Sequence, residues 1–184
     1  MMKKLGCMLL AIVVVHFSMG QNIFITRNGQ ISFFSKTSME NIDAINNEVS
    51  SVLNNQNGEI VFSVLVKGFH FQRSLMEEHF NENFMESDNF PKSLFKGKIT
   101  NINAVNFEKD GSYIVTVEGD LTIHGVTQKV TFPGTINLIN GKIVTLSKFK
   151  IKLADFNIKV PSLVADKISP LIDVTVDCKY EAKK

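Results

Sequence analysis

The residues from which this chain could build a reactive site are few: four histidines, two cysteines and 18 carboxylates. A structural or catalytic zinc site draws its ligands from short spacings such as His-x-x-x-His or from paired Cys and His. His70, His79 and His124 share no such spacing, and none lies beside a cysteine. Carboxylates gather at Glu77, Glu78, Glu82, Glu86 and Asp88, which fall on the polar side of a helix whose other side carries Met76, Phe80 and Phe84. That pattern reads as a solvated face. Acid–base catalysis needs two carboxyl groups in unlike environments, and nothing around these residues supplies that. No serine sits in a Gly-x-Ser-x-Gly elbow, and no glycine-rich loop is present to cradle a phosphate. Cys178 continues the alternation Ile172, Val174, Val176, Cys178, Tyr180 and so reads as a small buried apolar side chain. His124 alternates with Thr122 and Asp120, away from Leu121 and Ile123, and reads as a corner residue with Gly125. The residues make no case for an enzyme: no catalytic group, metal ligand or cofactor is assigned.

The elements that would carry these residues are mostly strands. Tyr113, Val115, Val117, Leu121 and Ile123 alternate with polar neighbours, as do Val126, Val130 and Phe132 beyond the His124-Gly125 corner. Period-2 alternation marks strands with one buried face. Strands are expected near 22–27, 30–36, 59–71, 94–107, 112–123, 126–138, 142–153 and 171–181. Turn dipeptides Asn28-Gly29, Asn57-Gly58, Asp110-Gly111 and Asn140-Gly141 punctuate them. Short links imply antiparallel pairing. Two Thr/Ser-x-x-Glu capping boxes, at Thr37–Glu40 and Ser74–Glu77, predict helices over 37–49 and 74–85. The expected fold class is all-β, an eight-stranded antiparallel barrel with one or two short helices. Three strands of about 12 residues exceed the usual five or six, and Gly97, Gly119 and Gly134 inside them suit barrel corners. A two-sheet sandwich is the other arrangement this pattern allows.

Residues 1–20 read as a secretory signal: Lys3 and Lys4, an apolar run from Leu5 to Phe17, then small residues at Ser18-Met19-Gly20. Cys7 precedes the end of that run, where a lipobox cysteine would follow it. A single domain from 21 to 184 remains, in a periplasmic or secreted location, with no transmembrane span after signal removal. Lys3 and Lys4 are the only charged residues of the first twenty, so the rest carries 18 of each sign. A neutral chain lacks the basic footprint that nucleic acid demands. With Cys178 alone, no internal disulfide can form, and the core must hold the fold unaided.

Gly119-Asp120-Leu121-Thr122-Ile123-His124-Gly125-Val126-Thr127-Gln128-Lys129-Val130 resembles the G-x-L-T-(I/L)-H-G-(V/I)-T-(K/R)-x-V segment of the YceI-like family of exported lipid-binding proteins. Leu75 to Phe84, then Asp88-Asn89-Phe90-Pro91 and Phe95-Lys96-Gly97, are similar to a second segment of that family. Phe149 to Ile158, followed by Pro161, is similar to a third. The resemblance covers roughly residues 58–181. It implies a lipocalin-like barrel whose lumen holds a polyisoprenoid, quinone tail or fatty acyl chain as ligand, with no shared catalytic apparatus. Read with the alternation, it implies a lumen drawn from Phe62, Val64, Val66, Tyr113, Val115, Val117, Leu121, Phe132, Phe149 and Ile151. The alternative is a solid barrel acting as a structural or protein-interaction module, with the Ser74–Met85 helix as its partner surface. A homodimer is compatible with either. The chain departs from the family at its start, where Ile31-Ser32-Phe33-Phe34-Ser35-Lys36 lacks the usual histidine.

Overall fold

The computed structural model describes residues 22–183; the expected signal segment lies outside them. Among the described residues nine strands form: β1 (Ile23–Lys36), β2 (Asn41–Asn54), β3 (Glu59–Leu65), β4 (His70–Phe71), β5 (Lys92–Ile99), β6 (Gly111–Ile123), β7 (Val126–Ile139), β8 (Lys142–Lys152) and β9 (Leu171–Ala182). They are ordered β1-β9-β8-β7-β6-β5-β3-β2-β4, and β1 also pairs with β2. That last pairing closes eight strands into an antiparallel barrel, leaving β4 as a two-residue graft on β2 (Ala44 opposite Phe71, Ile45 opposite His70). Closure removes exposed sheet edges and chooses the barrel over the sandwich.

Four expectations are corrected. The segment 37–49 is not a helix. Thr37 to Glu40 form a tight turn, in which the Thr37 hydroxyl accepts hydrogen bonds from the amides of Met39 (3.2 Å) and Glu40 (3.0 Å). The capping-box chemistry is therefore real, but it ends a hairpin, and the chain runs on as β2. The second correction explains the first. Asn28-Gly29 is no turn, because β1 continues through it as an irregularity in pairing: Thr26 opposes Ser51, Gly29 opposes Val49, and Ile31 opposes Asn46. One extra residue sits on β1 and then one on β2, so the inward set of β2 jumps from Ala44 and Asn46 to Val49, Ser51 and Leu53. A strand that changes parity midway and buries two polar residues shows apolar spacings of three and four, which mimic a helix. Asn46, fully buried, is satisfied by donating to the Leu65 carbonyl (2.9 Å) and accepting from the Glu48 amide (2.8 Å). Gly29 is needed there because a Cβ would lie 2.5 Å from the Cys178 sulfur.

The third correction concerns the helix, α1 (Ser74–His79). It is capped by the backbone of Arg73 with no side-chain cap, and Glu77 reaches back to accept from the Phe71 amide (3.2 Å). A π-helical turn over Phe80–Phe84 follows, closed by the Met85 amide donating to the Phe80 carbonyl (2.8 Å). The long strands predicted at 59–71 and 94–107 end early, at Leu65 and Ile99, in short 3-10 turns.

Gly97 and Gly119 face each other across β5 and β6. A Cβ on Gly119 would stand 2.4 Å from the Lys96 carbonyl oxygen and 2.5 Å from the Gly97 Cα. No side chain fits there, and the two strands bend together beneath the Phe95 ring, the barrel corner expected of strand glycines.

Candidate functional site

Inside the barrel lies a cavity of about 510 Å³, continued toward one end by a smaller chamber of about 110 Å³. The two share the walls Ile31, Val64, Ser93, Leu121, Phe149 and Val176, so they form one lumen. A solid barrel would hold no such volume; the interior is hollow. The large chamber lies beneath α1 and the connection from Leu153 to Pro170. The small chamber points toward the opposite end, among Ile60, Ile99 and Ile136.

The small chamber ends on a packed floor. Leu53, Ile99, Ile136, Leu138, Ile143 and Tyr180 are all at most 4 % exposed. The Tyr180 and Ser51 hydroxyls meet at 2.7 Å, and Ser51 donates to the Val61 carbonyl (2.8 Å). Burial raises the Tyr180 phenol, with the neighbouring Cys178 thiol adding to the effect. Burial likewise pushes the Cys178 thiol up to about 12, against the lowering influence of a backbone hydrogen bond at Gln30. Both groups are held protonated, and Cys178 is a packing residue rather than a reactive thiolate.

Midway, Phe132 and Phe149 stack at 3.7 Å between ring centroids and 15° between planes. Toward the open end a second aromatic cluster forms. Phe33 of β1 lies 5.3 Å from Phe69, 5.7 Å from Phe71 and 5.5 Å from Phe80. Phe80, Phe84 and Met76, the apolar stripe of the helical segment, roof the large chamber. The mouth carries ionisable side chains, Glu40, Arg73, His79 and Lys167. Arg73 is paired with Glu40 at 3.0 Å, tying the start of α1 to the β1–β2 turn.

Of the residues expected to line the lumen, Phe62, Val64, Val115, Val117, Leu121, Phe132 and Phe149 line the small chamber. Val64, Leu121, Phe149 and Ile151 line the large one. Two do not reach it. Val66 is 1 % exposed but packed in the core on a 3-10 turn after β3 has ended. Tyr113 turns to the rim of the closed end, where its hydroxyl donates to the Lys109 carbonyl (3.0 Å). Several wall residues were missed: Ile31 and Phe33 of β1, Ile172, Val174 and Val176 of β9, and Phe69, Phe71, Ile123 and Ile158. The β9 trio belongs to an alternation visible in the sequence. Phe69 and Phe71 lie beyond a strand end that no period marks.

His124 sits outside the lumen. It occupies the hairpin corner between β6 and β7 with φ of 50°, and Gly125 follows with φ of 73°. Its ring nitrogens contact the Phe156 carbonyl (3.3 Å) and the Glu86 carboxylate (3.2 Å), and Phe90 packs edge-on at 4.6 Å. A Cβ on Gly125 would meet the Phe90 ring at 2.5 Å. The His-Gly corner thus fastens three connections together and leaves no vacant coordination. Among the described residues no three His, Cys, Asp or Glu side chains gather as a metal site, and no helix is long and apolar enough to cross a membrane.

The profile of the YceI-like domain matches residues 14–180. The chain belongs to the YceI-like family. A polyisoprenoid-binding domain from Saccharophagus degradans, implicated in plant cell wall breakdown, has the same fold, with a TM-score of 0.77 and 14% identity over 89% of this chain and 99% of that one. BcnA of Burkholderia cenocepacia gives 0.70 at 15% identity, over 83% of this chain and 96% of its own. A Campylobacter jejuni YceI protein gives 0.53 at 14% identity, over 100% and 99%. No curated protein matches the chain. In this YceI-like barrel, the Leu121-Thr122-Ile123-His124-Gly125 segment contributes wall residues and a corner rather than a reactive centre.

Proposed function

We propose that this YceI-like protein is an exported, non-enzymatic carrier of a single long apolar lipid. A polyisoprenoid, a quinone tail or a fatty acyl chain would lie in the lumen with its tail toward the Leu53–Tyr180 floor. The observation that carries this reading is the lumen itself. Its combined size is in the range of small-molecule sites, roughly 300–1,000 Å³, and its walls are predominantly apolar, with the ionisable side chains confined to the mouth. Each methylene moved from water into such a lumen contributes about 0.8 kcal/mol. The similarity to a polyisoprenoid-binding domain supports an isoprenoid among these ligands. The apolar run before Ser18 supports export to the periplasm.

The test is extraction of the protein, purified from its native host, with organic solvent, followed by mass spectrometry. A stoichiometric isoprenoid or acyl species is expected; its absence from protein of native stability sinks the reading. Val117→Arg, which places a charge on the wall of the small chamber, should abolish lipid retention. Circular dichroism separates lost binding from lost folding, because an unpaired buried charge is itself destabilising.

A further inference from the structure

We infer that the open end of the barrel is a docking surface for a lipid bilayer with electrically neutral (zwitterionic) headgroups, inserting three apolar tips around the mouth of the lumen. The inference rests on the lipid-carrier reading above and supplies the surface through which the cargo moves.

Met39, Leu75 and Leu163 are 65 %, 60 % and 90 % exposed, three of the four most exposed large apolar side chains among the described residues. They sit on three different connections: the β1–β2 turn, the first turn of α1, and the 3-10 turn Ser162–Val164. All three connections border the same mouth. Glu40 beside Met39, Leu75 itself and Val164 beside Leu163 line the large chamber, and the Glu40–Arg73 pair ties the first connection to the second. Apolar surface therefore continues from the lumen wall out onto the rim.

A protein partner needs a contiguous patch of about 800 Å² on each side. Three isolated tips on separate turns do not make one, whereas side chains that enter a bilayer interface one at a time need no such continuity. Charge selects the kind of bilayer. Lys159 and Lys167 are matched on their own connection by Asp155 and Asp166, Arg73 is taken by Glu40, and Lys36 and Lys152 at the strand ends are offset by Glu77 and Glu78 of α1. The rim has no cationic surplus with which to seek anionic headgroups. The opposite end is capped by the packed floor, so cargo that leaves without crossing water leaves through the rim.

The chain contains no tryptophan, so a single introduced one reports its own surroundings. In the full chain, Leu163→Trp should shift its emission to shorter wavelength on mixing with phosphatidylcholine vesicles, and lipids brominated on their acyl chains should quench it. Ile139→Trp, on an exposed site of the β7–β8 hairpin at the closed end, should do neither. A shift there would report attachment through the closed end. A tenfold rise in salt should leave the shift intact, since screening weakens only charge–charge attraction. The triple variant Met39→Asp, Leu75→Asp, Leu163→Asp should keep its melting temperature and slow the transfer of a fluorescent fatty acid between vesicles by about tenfold or more. An unshifted Leu163→Trp overturns the inference and leaves a protein acceptor as the remaining outlet. So does a shift at Ile139→Trp instead, or one that needs anionic lipid and vanishes in salt. Insertion by a protein that yields no lipid on extraction upholds docking and sinks the carrier reading. A lipid-filled lumen without insertion sinks docking alone.

Discussion

The two ends of this barrel are built on opposite principles. At the closed end, side chains from β2, β5, β7, β8 and β9 interdigitate until Leu53, Ile99 and Ile136 have essentially no exposed surface, and the polar groups among them are paired. At the open end, aromatic rings of β1, β4 and the helical turn meet at mixed angles, from stacked to edge to face, around empty space. The roof is a six-residue helix continued by one π turn. Close packing there would fill the lumen, so the fold concentrates its stability at one end and leaves the other loosely roofed. The lesson is that mutational cost and functional cost should separate along the barrel axis.

The largest effect expected from breaking that contrast is Leu53→Ala. Leu→Ala in a fully buried site that cannot collapse costs about 2–5 kcal/mol, read as a lower midpoint in urea denaturation. Alkaline titration comes next. Cys178 is raised to about 12 in the folded state and Tyr180 is raised as well. Both fold as the protonated form, so their contribution is complete below the unfolded thiol value of about 8.5 and is lost as pH climbs through the folded one. The melting temperature should hold to about pH 8.5 and fall steadily toward pH 12, and Cys178→Ala should flatten part of that fall. Phe80→Ala follows. On the half-buried roof it should cost only about 1–2 kcal/mol, below the value for a buried ring, yet reduce lipid retention measurably by mass spectrometry. Equal loss of stability at Phe80 and Leu53 would erase the distinction between the ends. The smallest is Arg73→Gln. An exposed ion pair contributes about 0–1 kcal/mol, so thermal unfolding should barely move, while hydrogen exchange in α1 should quicken as its tie to Glu40 is cut.

Much of the wall formed by β6 to β9 was legible in the sequence, because those strands keep strict alternation and the β6–β7 and β7–β8 turns carry His-Gly and Asn-Gly. The YceI-like segment lay in that part, and the lumen residues it suggested mostly reach the cavity. The wall formed by β1 to β4 was harder to read. β2 changes parity beside Gly29 and buries Asn46 and Ser51, so its apolar residues fall at helical spacings. Thr37 forms the hydrogen bonds of a helix cap in a turn. Val66 was carried inward by a period that had already stopped at Leu65. What failed in each case was periodicity across an irregular residue, and only long-range pairing with β1, β3 and β4 decides such places.

The packed floor has a kinetic consequence. A tube with one opening admits a newcomer only after the occupant has withdrawn. Exchange of one lipid for another should follow a dissociative path. Its rate should level off at the occupant's own departure rate however much competitor is supplied, and two cargoes should never be found in one molecule.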